Sequence, residues 1–403
     1  MPYHGLSMNA PACALHDDFA EQDAVFSSAF SILQSAIAQR AIPAASVAVT
    51  HRERLVALKA LGDFAYDEKN EQGAPFLESF ARSGDLENRV TPDTLFDLAS
   101  LTKVVATAPM AMVLYERGLL DLDAPVSAIV PEFTHDKEKD PRRREVTLRM
   151  LLSHSSGLPA YEKLFLRAST RDELLHAAFT TPLIADPASR AEYSDIGFII
   201  LGTALERLAD EALDRFCQRE IFAPLAMTNT TFNPPPEIRW QIPPTAEDQI
   251  FRRRIVQGEV QDENASMLGG VAAHAGLFST AADLAKFAHF MLNGGHPILR
   301  PETVAIFTRR ESAPLGTSRA LGWDTPSSPS QSGKYFSPQS FGHLGYTGTS
   351  LWIDPVRQLS ITLLTNRTWP DCANQAIKQV RPKFHDAVIE AIDKFAFSVL
   401  TNS

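Results

Sequence analysis

Apolar residues recur at helical spacing in AVFSSAFSILQSAIAQ (24–39), which predicts an amphipathic helix stopped by Pro43. ASVAVTHRERLVALKALG (45–62) places two β-rich runs around the polar His51-Arg52-Glu53-Arg54 and predicts a β-hairpin. Residues 66–94 are polar and read as a loop. A helix is expected from Ser100 through VVATAPMAMVLYERG, with Gly118 as its C-terminal stop. Pro109 lies inside that span, so the helix either kinks there or has another boundary. Residues 119–260 carry helical patterns in LRMLLSH, RDELLHAAF and IGFIILGTALERLADEALDRFCQREIF, joined by Pro-rich loops, and little there reads as strand. FNPPPEIRWQIPPTAED reads as an irregular surface connection.

HAGLFSTAADLAKFAHFMLNG (274–294) predicts another helix, with Ser279 and Thr280 as cap candidates. Strand character returns in FGHLGYTGTSLWIDP and LSITLLTNR, and FHDAVIEAIDKFAFSVL predicts a closing amphipathic helix. The expected class is α/β (α+β), an antiparallel sheet flanked by helices with an inserted all-helical region. Residues 20–98 and 262–403 are expected to form one α/β domain from both chain ends. Residues 99–261 would form a mainly helical domain, and 1–19 a flexible N-terminal leader.

Hydrophobic residues make up 44% of the chain and charged residues 21%, which suits a globular protein with a sizeable core. The net charge of −10 argues against a nucleic-acid partner. Two short basic runs, Arg142-Arg143-Arg144 and Arg252-Arg253-Arg254, read as solvated faces. Cys13, Cys217 and Cys372 are too few and too far apart for a zinc site or a disulfide framework, so reduced thiols are expected. The N-terminus lacks the basic start and apolar core of a signal peptide, and no apolar run is long enough to span a membrane. A cytoplasmic location is the expectation, or a periplasmic one if the true start lies upstream.

Candidate chemistry begins in FDLASLTKVV (96–105). Ser100 and Lys103 lie three apart, within reach of each other on one helical face. Lys103 is then either a solvated helix residue or the activator of a nucleophilic Ser100. About one Ser-x-x-Lys is expected by chance in a chain of this length, and this is the only one present. Tyr193 in AEYSDIGFIILG is the only one of the seven tyrosines with Asp or Asn two residues on. It either carries chemistry or packs at a helix start capped by Ser194 or Asp195. In FGHLGYTGTS, Gly345 either lets a substrate or another backbone approach the strand or, with Gly348, marks a turn. Serine acyl transfer needs a base, an acid and oxyanion donors, which these elements can supply together.

SLTK, YSD (193–195) and HLG (343–345) resemble the three motifs of serine β-lactamases and penicillin-binding proteins. In the class C and D-alanyl-D-alanine carboxypeptidase branch these read S-x-x-K, Y-x-N and K-T-G or H-x-G. The flanking words FDLASLTKVVATAPMAMVLYERGLLDLDAPV, TLRMLLSHSSGLP and GHLGYTGTSLWIDP resemble the β-lactamase-related family that includes the family VIII carboxylesterases. The resemblance spans roughly residues 25–395. It implies a β-lactamase/transpeptidase-like fold, Ser100 as acylated nucleophile, Lys103 as its activator and Tyr193 as general base and acid. It further implies that His343 and Gly345 line the site and that the Tyr346 N–H is the second oxyanion donor.

Two residues depart from the pattern. Asp195 stands where Asn usually orients the substrate amide, and His343 where Lys often holds a substrate carboxylate. Both changes lower positive charge, which favours small esters or amides over anionic β-lactams. The expected activity is that of a carboxylesterase-type serine hydrolase. A D,D-carboxypeptidase or β-lactamase, and a non-catalytic binding protein, are the alternatives. Expected partners are a small-molecule ester, amide or β-lactam, and no cofactor or metal is implied. Asp262, Glu263, Asn264 and His274 form a polar cluster that reads as loop bracing, and His154 reads as structural. Oligomeric state is open.

Overall fold

The computed structural model describes residues 15–66, 89–134, 140–370 and 372–401. Cys13, the leader up to residue 14 and residues 67–88 of the expected loop lie outside them. Among the described residues the strands run, in chain order, β1 (His16–Asp17), β2 (Ala44–His51), β3 (Arg54–Gly62), β4 (Phe96–Asp97), β5 (Thr231–Phe232), β6 (Pro244–Asp248), β7 (Arg254–Gln257), β8 (Leu277–Ser279), β9 (Phe341–Leu344), β10 (Ser350–Asp354) and β11 (Leu359–Thr365). The main sheet has the order β1-β3-β2-β11-β10-β9, antiparallel except for β1 against β3. β1 falls within the residues read as leader, so that segment is tied down at His16 and Asp17.

β2 and β11 form the middle of this sheet, with Val47 opposite Leu363 and Val49 opposite Ile361. Both strands are buried on both faces, which is why LSITLLT reads as a near-continuous run rather than a clean alternation. On one face Ala45, Val47, Val49, Ile361 and Leu363 pack with Phe30 and Leu33 of the helix Ser27–Ala38 and with Phe384 and Val388 of the helix Ile377–Thr401. Each fully buried Leu, Val or Phe contributes about 1.5–3 kcal/mol, an upper estimate because the unfolded chain is itself partly compact. Apart from Leu364, the other face carries small residues: Ala44, Ser46, Ala48, Thr50, Ser360 and Thr362. They leave room for the helix Ala281–Leu292 to pack against the backbone of β2 and β11, and Thr50 and Ser360 hydrogen-bond across the strands at 2.6 Å.

The helix expected over 274–294 begins only at Ala281, where the Thr280 hydroxyl accepts the Asp283 N–H. The preceding Leu277–Ser279 is instead the middle strand of a small sheet, β4-β8-β5. Residues 119–260 are also less purely helical than their sequence suggests. β5 lies there, and β6 and β7 pair as a hairpin. Proline at its start and charge along its length conceal the hairpin from a periodicity reading.

The two basic runs are not simply solvated. Arg252 and Asp248 form an ion pair with side chains only 7% and 5% exposed, and Arg252 also donates to the carbonyls of Val260 and Gln261. Arg143 is buried and donates to the carbonyls of Phe133, Phe179 and Thr181. Each guanidinium thereby collects several backbone acceptors that would otherwise be orphaned. We predict that Arg252→Leu costs about 3–5 kcal/mol, because it leaves the buried Asp248 carboxylate without its cation, held only by backbone N–H groups. Urea denaturation checks this, and a loss below about 1 kcal/mol would show that the pair carries no such weight.

Candidate active site

Ser100 sits on a turn fixed from several sides. Ala99 has φ +47, a left-handed value that costs a non-glycine residue of order 1–3 kcal/mol and persists only where the surroundings impose it. Here the Ala99 N–H donates to Asp97 Oδ1 at 2.8 Å, and the Thr102 hydroxyl donates to the Ala99 carbonyl at 2.7 Å. Thr349 binds the Leu98 carbonyl and Thr347 the Asp97 carbonyl, tying β4 to the loop after β9. The helix expected from Ser100 forms in pieces: a tight turn at Ala99–Leu101, a widened turn at Lys103–Thr107 and a regular helix Ala108–Glu116. In the widened turn the Ala108 N–H reaches the Lys103 carbonyl five residues back. Pro109 then falls in the first turn of the regular helix, where a missing N–H is tolerated. Widened turns of this kind recur at functional sites.

Lys103 is completely buried. Its Nζ donates to Asp195 Oδ1 at 2.6 Å, to the His274 carbonyl at 2.9 Å and to Ser100 Oγ at 3.1 Å. Ser100 Oγ lies 2.6 Å from the Tyr193 hydroxyl, which lies 3.0 Å from the same Asp195 oxygen. Four side chains named from sequence therefore close into one hydrogen-bonded ring. Burial lowers the Lys103 ammonium below its usual 10.5, opposed chiefly by the Asp195 charge. Burial first, and the Asp195 charge second, hold the Tyr193 phenol well above 10. Ser194 caps the helix Asp195–Ala209 by accepting the Gly197 N–H, which puts Asp195 in its first turn.

β9 carries His343 to the opposite wall, its ring 6.0 Å from that of Tyr193. Nδ1 of His343 lies 2.7 Å from the Leu344 carbonyl, so Nδ1 bears the proton. Burial, then the Lys103 and Arg319 charges, push the imidazole well below 6.5, so it is neutral. At Gly345 it is another backbone that comes close: a Cβ would stand 2.5 Å from the Leu98 carbonyl and 1.9 Å from Thr349 Oγ1. The strand end is thus pressed against the turn before Ser100. The Tyr346 amide makes no hydrogen bond with any described residue, while its carbonyl is held by Arg367 Nε at 2.7 Å.

The flanking residues brace this ring. His154 accepts the Ser194 N–H on Nδ1 at 3.0 Å and stacks between Tyr193 and Phe198. Asp262 accepts the Ala265 N–H and lies 2.9 Å from His274 Nε2. It is the backbone carbonyl of His274, not its imidazole, that faces Lys103. Asn264 ties Phe165 N–H and the Glu162 carbonyl, and Glu263 accepts from Tyr161. Two residues escaped the sequence reading. Asp97, a lone carboxylate between Phe96 and Leu98, accepts the Ala99 N–H and, at 2.6 Å, the Gln261 N–H, linking the Ser100 turn to the Asp262 segment. Its charge in an apolar run was the available signal. Arg319 lies 5.6 Å over the Tyr193 ring and is partly exposed. It comes from a turn-rich stretch where no periodicity or motif marks it.

Residues 29–381 match the family described as Beta-lactamase. The chain is 35% identical over 320 residues, 72% of its own length and 73% of the relative's, to a protein named "Putative D-alanyl-D-alanine carboxypeptidase" from Salmonella paratyphi B (strain ATCC BAA-1250 / SPB7). Among solved structures it is similar to EstCE1, a hydrolase with promiscuous acyltransferase activity. The TM-score is 0.71 at 20% identity, covering 92% of this chain and all of that one. The class C β-lactamase of Rhodobacter sphaeroides gives 0.66 at 20% identity over 91% and 99%. The chain belongs to the β-lactamase family of serine hydrolases and has its mixed α/β fold. Among the described residues no helix is long and apolar enough to cross a membrane.

Burial raises the Asp97 carboxyl from its usual 3.8 to about 6, against the pull of its two N–H donors. A carboxyl raised on folding favours the native state at low pH, and that contribution is lost as pH rises through about 6. We predict that, relative to Asp97→Asn, the wild type gains about 2 kcal/mol of stability between pH 7 and pH 4.5. Denaturation of both proteins at the two pH values measures it, and a difference independent of pH would refute it.

Proposed function

We propose that this protein is a serine acyl hydrolase that forms an acyl-enzyme at Ser100 and acts on small esters or amides. One observation carries the reading: the Ser100 hydroxyl lies within hydrogen-bond distance of both the fully buried Lys103 and Tyr193. Ser100 Oγ attacks the acyl carbon as its proton passes to the hydrogen-bonded Tyr193–Asp195 pair, and Tyr193 returns a proton to the leaving group. The backbone N–H groups of Ser100 and Tyr346 receive the oxyanion, and the Lys103 ammonium adds a fixed positive charge beside it. Water then attacks the acyl-enzyme by the same steps in reverse. His343 is neutral, so β9 presents no cation, and the neighbouring Lys103 is paired with Asp195. That wall favours uncharged acyl groups.

A second reading has its own support. Arg319 places a guanidinium beside Tyr193, and the 35% identical relative is named for a D,D-carboxypeptidase. Under this reading Arg319 receives the terminal carboxylate of a D-Ala-D-Ala substrate.

Ser100→Ala is expected to abolish turnover of a short-chain p-nitrophenyl ester while the protein stays folded, and wild-type protein should gain the mass of the acyl group on Ser100. Turnover by Ser100→Ala would end the proposal. A chromogenic cephalosporin should be hydrolysed slowly relative to the ester, and comparable rates would reverse the substrate preference. For the second reading, Arg319→Gln should raise KM for an acyl-D-Ala-D-Ala peptide roughly 10–100-fold, as loss of a charged hydrogen bond does, and leave ester turnover within about twofold. If the wild type releases no D-alanine, that reading fails.

A further inference from the structure

Tyr193 carries one proton but faces two oxygens, Ser100 Oγ at 2.6 Å and Asp195 Oδ1 at 3.0 Å. An ionised carboxylate only accepts, so the phenol proton points to Asp195 and the phenol oxygen accepts from Ser100. The Ser100 proton is committed in this way along the shorter of its two contacts. Lys103 then donates to Ser100, and its three N–H groups meet three acceptors: a carboxylate, a carbonyl and a hydroxyl. That pattern fills an ammonium and leaves no lone pair toward Ser100. Hydrogen bonding alone therefore orders the ring as Ser100 to Tyr193 to Asp195, with Lys103 clamping the far end.

We propose that Asp195 is the terminal proton acceptor of acylation, through a relay in which Tyr193 stays a neutral phenol. This rests on Ser100 being the acylated nucleophile. As the bond from Ser100 Oγ to the acyl carbon forms and the carbonyl π pair moves to oxygen, the serine proton passes to the Tyr193 oxygen. The Tyr193 proton passes to Asp195 Oδ1 in the same step. On collapse the bond to the leaving group breaks, the leaving oxygen or nitrogen takes a proton from Tyr193, and Tyr193 recovers one from Asp195. Protons and charge are restored at the end. The family pattern places Asn at this position, and an amide can accept a hydrogen bond but cannot hold the proton. The height of the Tyr193 phenol above its usual range makes a phenolate route costly, in keeping with the relay.

Asp195→Asn should lower kcat/KM for the p-nitrophenyl ester by roughly 10²–10⁴-fold, the usual scale of a lost general base. Formate should restore part of the activity to Asp195→Ala, since a small carboxylate can fill the vacated place. For the wild type, kcat/KM measured across H2O–D2O mixtures should vary along a curve, as two protons in flight require. Activity in Asp195→Asn within about fivefold of wild type, indifference of Asp195→Ala to formate, or a linear dependence on deuterium content would each overturn the relay. The wild-type isotope series decides even if neither variant folds. Failure of the underlying reading shows separately, as ester turnover without acylation of Ser100.

Discussion

A lysine ammonium buried to zero exposure is the constraint around which this site is organised. An isolated charge in a dry interior is expensive, so three acceptors must be delivered to Lys103 from distant parts of the chain. Asp195 comes from a helix start, the His274 carbonyl from the loop before β8, and Ser100 from the turn below. Each delivery needs its own support. Ser194 and His154 fix the first, Asp262 holds the segment of the second, and Asp97 with Thr102 imposes the strained Ala99 backbone that presents the third. The Lys103–Asp195 pair thus both carries an electrostatic cost and is the reason the site's parts meet.

What was legible in the sequence followed from local physics. The β2–β3 hairpin, the strands β9 to β11, the terminal helices and the Thr280 cap are set by patterning and capping. The neighbourhood of Ser100, Lys103 and Tyr193 was reachable because each had a spacing or partner peculiar to it. The illegible parts depend on contacts across the fold. The β6–β7 hairpin is anchored by the Asp248–Arg252 pair, which no apolar period announces. That one Asp195 oxygen, Oδ1, is shared between Lys103 and Tyr193 is a contact no spacing announces. Gly345 fits either a turn or a close approach by sequence, and it is the Leu98 carbonyl, distant in the chain, that comes close to it.

Charge around the site was also only half visible. Replacing a strand lysine by His343 suggested a site poorer in positive charge, and burial does leave that imidazole neutral. Arg319 supplies a cation from a different segment, over the Tyr193 ring rather than on the strand. The positive charge therefore lies off the strand, on a residue that also pairs with Asp324 at 3.6 Å. The Arg319–Tyr193 contact joins residues more than a hundred positions apart, which single-sequence spacing does not detect.

The pairing of β2 with β11 sets the order in which the protein can be made. During synthesis the hairpin of residues 44–62 emerges some three hundred residues before its central partner, and until then β2 presents an unpaired edge of alanine and valine. Contacts of such long sequence separation fold slowly and expose that edge to other chains. The same delay applies to the site, because Ser100 cannot meet Gly345 and Tyr346 before the last quarter of the chain arrives. A partially synthesised chain consequently both lacks the assembled Ser100 neighbourhood and is prone to pair with other chains, and the two states end together when β11 closes the sheet.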